Sequence, residues 1–193
     1  MTATTQLAPQ PEVAPRAFGL PFTLIDPEKQ LEWVNGHAEV KEMAGARHSR
    51  IGVKLSARLD TFVEEHHLGA VYGPDATFTI GPRERIPDVS FVTAARIPPE
   101  GDPIGPWKIA PDLAVEIVSP NDLIEEVETK IREYFAAGVQ QVWLVSPQLQ
   151  TVSIYDALTK VTILQAGDEL TSPALLPGFR CPVAALFQPI ARN

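Results

Sequence analysis

Residues 111–138, PDLAVEIVSPNDLIEEVETKIREYFAAG, decide the fold of this chain. The run from Leu113 to Val118 is short, apolar and rich in β-branched residues, which predicts a buried strand. The Ser-Pro-Asn-Asp corner at 119–122 offers several helix-capping side chains, and Gly138 is a natural helix stop. The stretch therefore predicts a strand, a sharp corner and an amphipathic helix.

One charged side chain, Glu116, lies inside this predicted strand. Burying a carboxylate is costly unless it has a partner, a proton or a metal ion. Strand alternation places Asp112 and Glu116 on the same face of the sheet. Glu116 lies near the carboxyl end of the strand, where open α/β sheets tend to have their ligand-binding and catalytic groups. At the rise of a β-strand, Asp112 lies about 13 Å from Glu116, so we expect it to anchor the strand entrance.

Lys130 lies on the rim of the apolar face of the predicted helix, three residues after Val127 and four before Tyr134. A lysine there can lay its stem on the sheet and extend its ammonium toward the strand end. The alternative is an ordinary surface lysine paired with Glu126, its neighbour at i+4 spacing. The helix by itself favours this second interpretation.

Length and composition predict one folded domain over residues 21–193, preceded by a disordered tail over residues 1–20 that is rich in Pro, Ala, Thr and Gln. The single cysteine, Cys181, excludes an internal disulfide framework and fits a reducing, cytoplasmic compartment. Nothing resembles a signal peptide or a membrane span. The net charge of −8 counts against a high-affinity non-specific DNA binder, although it does not exclude a local basic patch.

The remaining elements follow from hydrophobic periodicity and turn residues. An N-terminal hairpin is predicted around Asn35-Gly36, and a helix over roughly 48–67. Strands are predicted at 70–80 with an interruption at 73–75, and at 89–93, 140–145, 151–155 and 161–164. The segment 175–187 is predicted to close the edge of the sheet.

Arg50, Lys54 and Arg58 form a positive stripe beside the apolar face of the helix predicted over 48–67. One interpretation is a surface that contacts the phosphates of DNA. The other is a solvated helix face, which the sequence favours slightly.

The order of three acid and base positions resembles a known group of proteins. Asp88 in PDVSFV, Glu116 in PDLAVEIVSP and Lys130 in the following helix are similar to the Uma-two family of restriction endonuclease-like proteins, within the PD-(D/E)XK nuclease superfamily. Further similar segments are LEWVNG (31–36), ARHSRI (46–51) and KIREYFAAGVQQVWLVSP (130–147). The resemblance covers nearly the whole chain. It implies an α/β (α+β-like) fold with a mixed central sheet flanked by helices, in a restriction-endonuclease-like core.

The resemblance also implies a metal-dependent endonuclease that hydrolyses DNA, expected as a homodimer. Asp88 and Glu116 would hold Mg²⁺ or Mn²⁺ through carboxylate oxygens, and Glu32 could add an auxiliary acid. The superfamily pattern places its lysine two residues after the glutamate, where this chain has Val118. Lys130 would then be the catalytic lysine, displaced onto the helix.

Two other functions stay open at this point. The first is a catalytically silent nuclease-fold module that binds DNA or a protein partner. The net charge of −8 supports this alternative, because an acidic protein gains nothing from its overall field in approaching DNA. The second is an enzyme that cleaves RNA or a small nucleotide. The presence of Asp88, Glu116 and Lys130 together argues against a decayed site.

Overall fold

A computed structural model describes residues 29–34, 37–42, 45–120 and 122–189, the first two ranges as backbone only. The helices are α1 (Ala46–Glu65), α2 (Ile124–Ala136) and α3 (Val183–Phe187). The strands are β1 (Lys29–Val34), β2 (His37–Glu42), β3 (Gly69–Tyr72), β4 (Phe78–Ile80), β5 (Arg83–Arg85), β6 (Val89–Thr93), β7 (Leu113–Ile117), β8 (Gln141–Ser146), β9 (Thr151–Ala157), β10 (Lys160–Leu164), β11 (Glu169–Ser172) and β12 (Leu176–Pro182). The tail predicted over 1–20 lies outside these ranges.

A six-stranded sheet, in the order β10-β9-β8-β7-β6-β3, forms the centre of the fold. Strands β7 and β8 are parallel and are joined through α2, whereas the other neighbours in the sheet are antiparallel. The predicted mixed sheet flanked by helices is therefore confirmed. The predicted N-terminal hairpin is also confirmed, because β1 and β2 pair antiparallel; its turn at 35–36 lies outside the described residues.

Alternation along the strands divides the core into two layers. Val115 and Ile117 of β7 face a core that contains the buried side chains of α1, whereas Ala114 faces a second core with α2. Helix α1 contributes a stripe at helical spacing, which consists of Ile51, Leu55, Leu59 and Val63. Strand β7 is thus covered on both faces, which explains its nearly continuous apolar sequence.

Both long helices end where the backbone turns left-handed. Helix α1 ends two residues earlier than predicted, because His67 has φ 54° and directs the chain into β3. Helix α2 ends at Ala136, and Gly138, the predicted stop, follows two residues later with φ 92°, a conformation that favours glycine. At the start of α2, Asp122 accepts a hydrogen bond from the Ser119 amide and so shapes the corner.

The C-terminal segment differs from its prediction. Strand β12 does not join an edge of the six-stranded sheet; it pairs with β11 in a separate two-stranded sheet, and α3 follows it. Leu176, Phe179 and Leu186 of this unit are buried in the α1 core. The prediction was wrong because an apolar alternation identifies a buried face but does not specify the pairing partner.

Strand β5 was not predicted, because the sequence Arg83-Glu84-Arg85 has no apolar alternation. It pairs with β4 in a short hairpin that precedes Asp88. Among the described residues, no helix is long and apolar enough to cross a lipid bilayer.

Candidate active site

Glu116 lies in a central strand of the sheet and is only 8% exposed. Its neighbours Val115 and Ile117 face the α1 core, so alternation directs its carboxylate toward α2. Both carboxylate oxygens accept a hydrogen bond from that helix. The Lys130 ammonium donates to Oε2 over 3.0 Å, and the Tyr134 hydroxyl donates to Oε1 over 2.5 Å.

Asp88 lies immediately before β6, the antiparallel neighbour of β7. The register pairs Val89 with Val115, and one step further along the same ladder places Asp88 opposite Glu116. Asp88 Oδ2 accepts a hydrogen bond from the Ile117 amide over 2.7 Å, which holds it at the carboxyl end of β7. The fold therefore brings together two acids that are 28 residues apart in the chain.

His48 lies beside Asp88, and the sequence predicted no role for it. Its Nε2 lies 3.4 Å from Asp88 Oδ2. The hydrogen bond to Asp88 raises the pKa of His48, although burial opposes the charged ring. A signal was present, because His48 precedes Ile51 by three residues and so lies on the core side of α1.

Burial and charge act in opposite directions on the Glu116–Lys130 pair. Burial raises the pKa of Glu116, and the nearby Asp88 charge adds to this, while Lys130 and Tyr134 oppose it. Burial disfavours the ammonium of Lys130, but the Glu116 carboxylate more than offsets that effect, so the pKa of Lys130 is raised. Lys130 is therefore protonated at neutral pH, and Glu116 is harder to ionise than an ordinary glutamate.

The acids at the strand ends suit a hard divalent cation. Mg²⁺ commonly binds through one or two protein carboxylates and completes its shell with waters and substrate phosphates. Asp88 and Glu116 fit that pattern, since a buried carboxylate with a raised pKa gains from a cation. Within the described part of the chain, no three His, Cys, Asp or Glu side chains are arranged to hold a metal by themselves. The side chain of Glu32, the predicted auxiliary acid, lies outside the described atoms.

Lys130 brings a cation to Glu116, whereas Val118, at the position of the superfamily lysine, supplies none. Val118 continues the ladder with β8, because its amide donates to Val145, and its side chain offers no charge. Lys130 pairs with Glu116 rather than with Glu126, the partner favoured by the helix alone. Its catalytic role, like those of Asp88 and Glu116, stays a prediction.

The three residues of the predicted basic stripe on α1 have different surroundings. The Lys54 ammonium donates to the carbonyl oxygens of Ala185 and Gln188 over 3.0 and 2.9 Å, and thereby caps the end of α3. Lys54 therefore has a structural role that the sequence did not predict. Arg58 is exposed and Arg50 is half-buried, and phosphate binding by the stripe stays a prediction.

Asp112 anchors the entrance of β7, as expected. It is fully buried and accepts hydrogen bonds from the Thr93 amide, the Arg96 guanidinium and the Gln140 side-chain amide. This acid is therefore fully engaged at the opposite end of the strand from Glu116.

The comparisons with known proteins agree with this fold. The model of the Uma2 family, described as "Putative restriction endonuclease", matches residues 18–184. The chain belongs to this family. The resemblance to the Uma-two family is thus confirmed, and Uma2 membership supports a nuclease function.

A solved structure has the same fold as this Uma2 chain. It is a crystal structure of a "putative nuclease belonging to DUF820" from Anabaena variabilis, with a TM-score of 0.72 and 24% sequence identity. The match covers 86% of this chain and 93% of that chain, and at such an identity it shows the fold alone. No curated protein matches the chain.

Proposed function

We propose that this Uma2 protein is a metal-dependent endonuclease that hydrolyses DNA phosphodiester bonds, with residues 21–193 as its nuclease domain. The observation that carries the proposal is the contact between the Lys130 ammonium and Glu116, beside Asp88. A carboxylate pair next to a lysine, at the carboxyl end of β7, suits metal-assisted hydrolysis of a phosphodiester.

Asp88 and Glu116 are the residues that would hold Mg²⁺ or Mn²⁺. When bound, the cation would supply Lewis-acid polarisation of the phosphodiester and acidify a water. The Ile117 amide fixes Asp88, and Lys130 and Tyr134 fix Glu116, so neither acid needs to reorganise before it binds.

Lys130 is proposed to stabilise negative charge that develops on the phosphate or to orient the attacking water. Its raised pKa keeps the ammonium protonated in the neutral range, so it acts as a fixed positive charge. A third of its side chain is exposed, which leaves it accessible to a substrate at the surface. Val118 cannot perform either task, which is why the lysine is assigned to the helix.

Duplex DNA, with contacts from Arg50 and Arg58, is the proposed substrate, and family membership supports it. Lys54 belongs to the same predicted stripe, but its ammonium already caps α3. A homodimer and a cytoplasmic location belong to the proposal as well. The homodimer rests on the resemblance, and the location rests on the single cysteine.

The competing function is a catalytically silent module that binds DNA or a protein partner. The net charge of −8 favours this alternative, because the overall field of the protein repels a polyanion. Cleavage of RNA or of a small nucleotide is a further outcome that the same assay detects.

The test is cleavage of a supercoiled plasmid and of matched RNA by purified protein, with Mg²⁺, with Mn²⁺ and with EDTA. We expect DNA cleavage that requires the metal, and loss of both metal binding and cleavage in Asp88→Asn and Glu116→Gln. Lys130→Met should retain binding while turnover falls by about 10²-fold or more. Glu126→Gln on the exposed face of α2 is the matched control and should behave as the wild type.

The outcomes separate the candidates. DNA binding without cleavage under either metal would favour the silent module. Cleavage that survives Glu116→Gln would exclude the proposed site, and preference for RNA would change the substrate class.

A further inference from the structure

Tyr134 lies directly behind the proposed site and is fully buried among the apolar side chains of the α2 core. It is four residues after Lys130, so both side chains project from the same face of α2. Each donates to a different oxygen of Glu116, with Tyr134 on Oε1 and Lys130 on Oε2. The carboxylate is thus held at both of its oxygens by one helix.

This contact restricts the orientation of Glu116. A buried phenol needs a hydrogen-bond partner, because an unpaired hydroxyl in an apolar core is costly. Two donors at different oxygens determine the rotation of the carboxylate plane. Each carboxylate oxygen has more than one acceptor site, so both oxygens of Glu116 keep lone pairs with which to bind a cation.

Helix α2 is itself anchored next to Tyr134. Glu133 Oε1 lies 3.0 Å from Arg83 Nη1, and Glu133 Oε2 accepts hydrogen bonds from Nε and Nη2 of Arg85 over 2.8 and 2.5 Å. Both arginines belong to β5, three to five residues before Asp88. The strand that was absent from the sequence prediction therefore links the helix that holds Glu116 to the segment that carries Asp88.

We propose that Tyr134 is a positioning residue, whose hydroxyl holds the Glu116 carboxylate in the orientation that binds the divalent cation. The Glu133 cluster, defined as Glu133 with Arg83 and Arg85, keeps Tyr134 in place. The inference rests on the proposed function, since it takes Glu116 as a metal ligand. Partners of metal ligands commonly act in this way, and their loss lowers affinity by about 10–100-fold.

The test is Mn²⁺ binding by isothermal titration calorimetry to the full chain, with Tyr134→Phe as the central variant. Phenylalanine keeps the ring and removes the hydroxyl, and we expect the Mn²⁺ dissociation constant to rise by about 10-fold. Tyr155→Phe is the matched control, because Tyr155 is half-buried and its hydroxyl makes no hydrogen bond to Glu116 among the described residues. It should bind Mn²⁺ as tightly as the wild type.

The pH profile of Mn²⁺ binding separates positioning from simple packing. Protons compete with the metal at Glu116, where the charged neighbours are Lys130 of α2 and Asp88 before β6. Without the hydroxyl, the ionised carboxylate loses a donor, so the pH of half-maximal binding should move upward in Tyr134→Phe. A packing role would not move it.

Each result supports or overturns the inference. Wild-type binding that depends on Glu116, combined with unchanged affinity and pH profile in Tyr134→Phe, overturns the positioning role and leaves the proposed function intact. Absence of Mn²⁺ binding by the wild type overturns both. If Tyr134→Phe does not fold, Glu133→Gln loosens the same helix without touching Glu116, and it should weaken binding a few-fold; unchanged affinity in that variant overturns the inference.

Discussion

Replacing Lys130 with methionine tests the central ion pair of the site without removing a proposed metal ligand. Methionine keeps an unbranched apolar stem but lacks the ammonium that lies 3.0 Å from Glu116 Oε2. Glu116 is 8% exposed, whereas a third of the Lys130 side chain is exposed. The variant therefore leaves a buried carboxylate whose remaining side-chain donor, among the described residues, is the Tyr134 hydroxyl.

The expected cost follows from this partial burial. Removing one partner of a fully buried ion pair costs about 3–5 kcal/mol. Solvent at the exposed part of Lys130 weakens the pair, so we expect about 1–3 kcal/mol of lost stability in the metal-free protein. For a chain of this size, that corresponds to a fall in Tm of about 2–12 °C.

Metal and pH should both change this cost. A divalent cation at Glu116 replaces the missing positive charge, so the loss should shrink when Mg²⁺ is saturating. Burial already raises the pKa of Glu116, and removing Lys130 raises it further. The stability lost in Lys130→Met comes from the ionised form of Glu116. The loss is therefore complete at pH values above the raised pKa of Glu116, and it shrinks as the pH falls toward the ordinary glutamate pKa of about 4.3.

The assay is thermal and urea unfolding of the wild type and Lys130→Met, in EDTA and in Mg²⁺. Lys160→Met is the matched control, because Lys160 pairs with Asp156 at the surface and its side chain is 73% exposed. That variant should lose less than about 1 kcal/mol. The reasoning would be refuted if the two variants lost equal amounts of stability, or if Mg²⁺ left the stability loss of Lys130→Met unchanged.

Three further predictions concern other parts of the site. Glu116→Gln should unfold at the same or a higher temperature than the wild type in EDTA at neutral pH, since burial penalises the ionised carboxylate. Arg50→Ala and Arg58→Ala should each reduce the salt slope of DNA binding by about 0.9, whereas Lys54→Ala should mainly lower Tm because it uncaps α3. Asp112→Asn should destabilise the fold by about 1–3 kcal/mol in urea unfolding, with Mn²⁺ affinity unchanged.

Local pattern was sufficient for most elements of the central sheet. The short apolar, β-branched run from Leu113 to Val118 predicted β7, and Gly138, the predicted stop, follows the end of α2 with a left-handed backbone. These features depend on neighbouring residues, since strand and helix periodicities and turn conformations are local properties. Strand β5 was missed because its charged sequence forms a strand only through its partner β4.

Some residues of the candidate site could also be predicted from the sequence. A charge inside an apolar strand identified Glu116, whereas Lys130 was identified through the family resemblance, since its helix alone favoured a pair with Glu126. The sequence placed Tyr134 in the apolar stripe of α2 and did not predict its hydrogen bond to Glu116, because a tyrosine at helical spacing looks like any other core residue. The sequence also predicted no role for His48, near the start of α1.

By itself, the sequence determined the buried acid, the strand and helix that carry it, and the family resemblance. The tertiary structure decided which side chains and backbone groups these residues contact. The register of β6 against β7 places Asp88 opposite Glu116, packing selects Glu116 over Glu126 for Lys130, and the position of α3 engages Lys54. Periodicity specifies which face of an element is buried, but which distant groups meet there depends on strand register and helix packing across the whole chain.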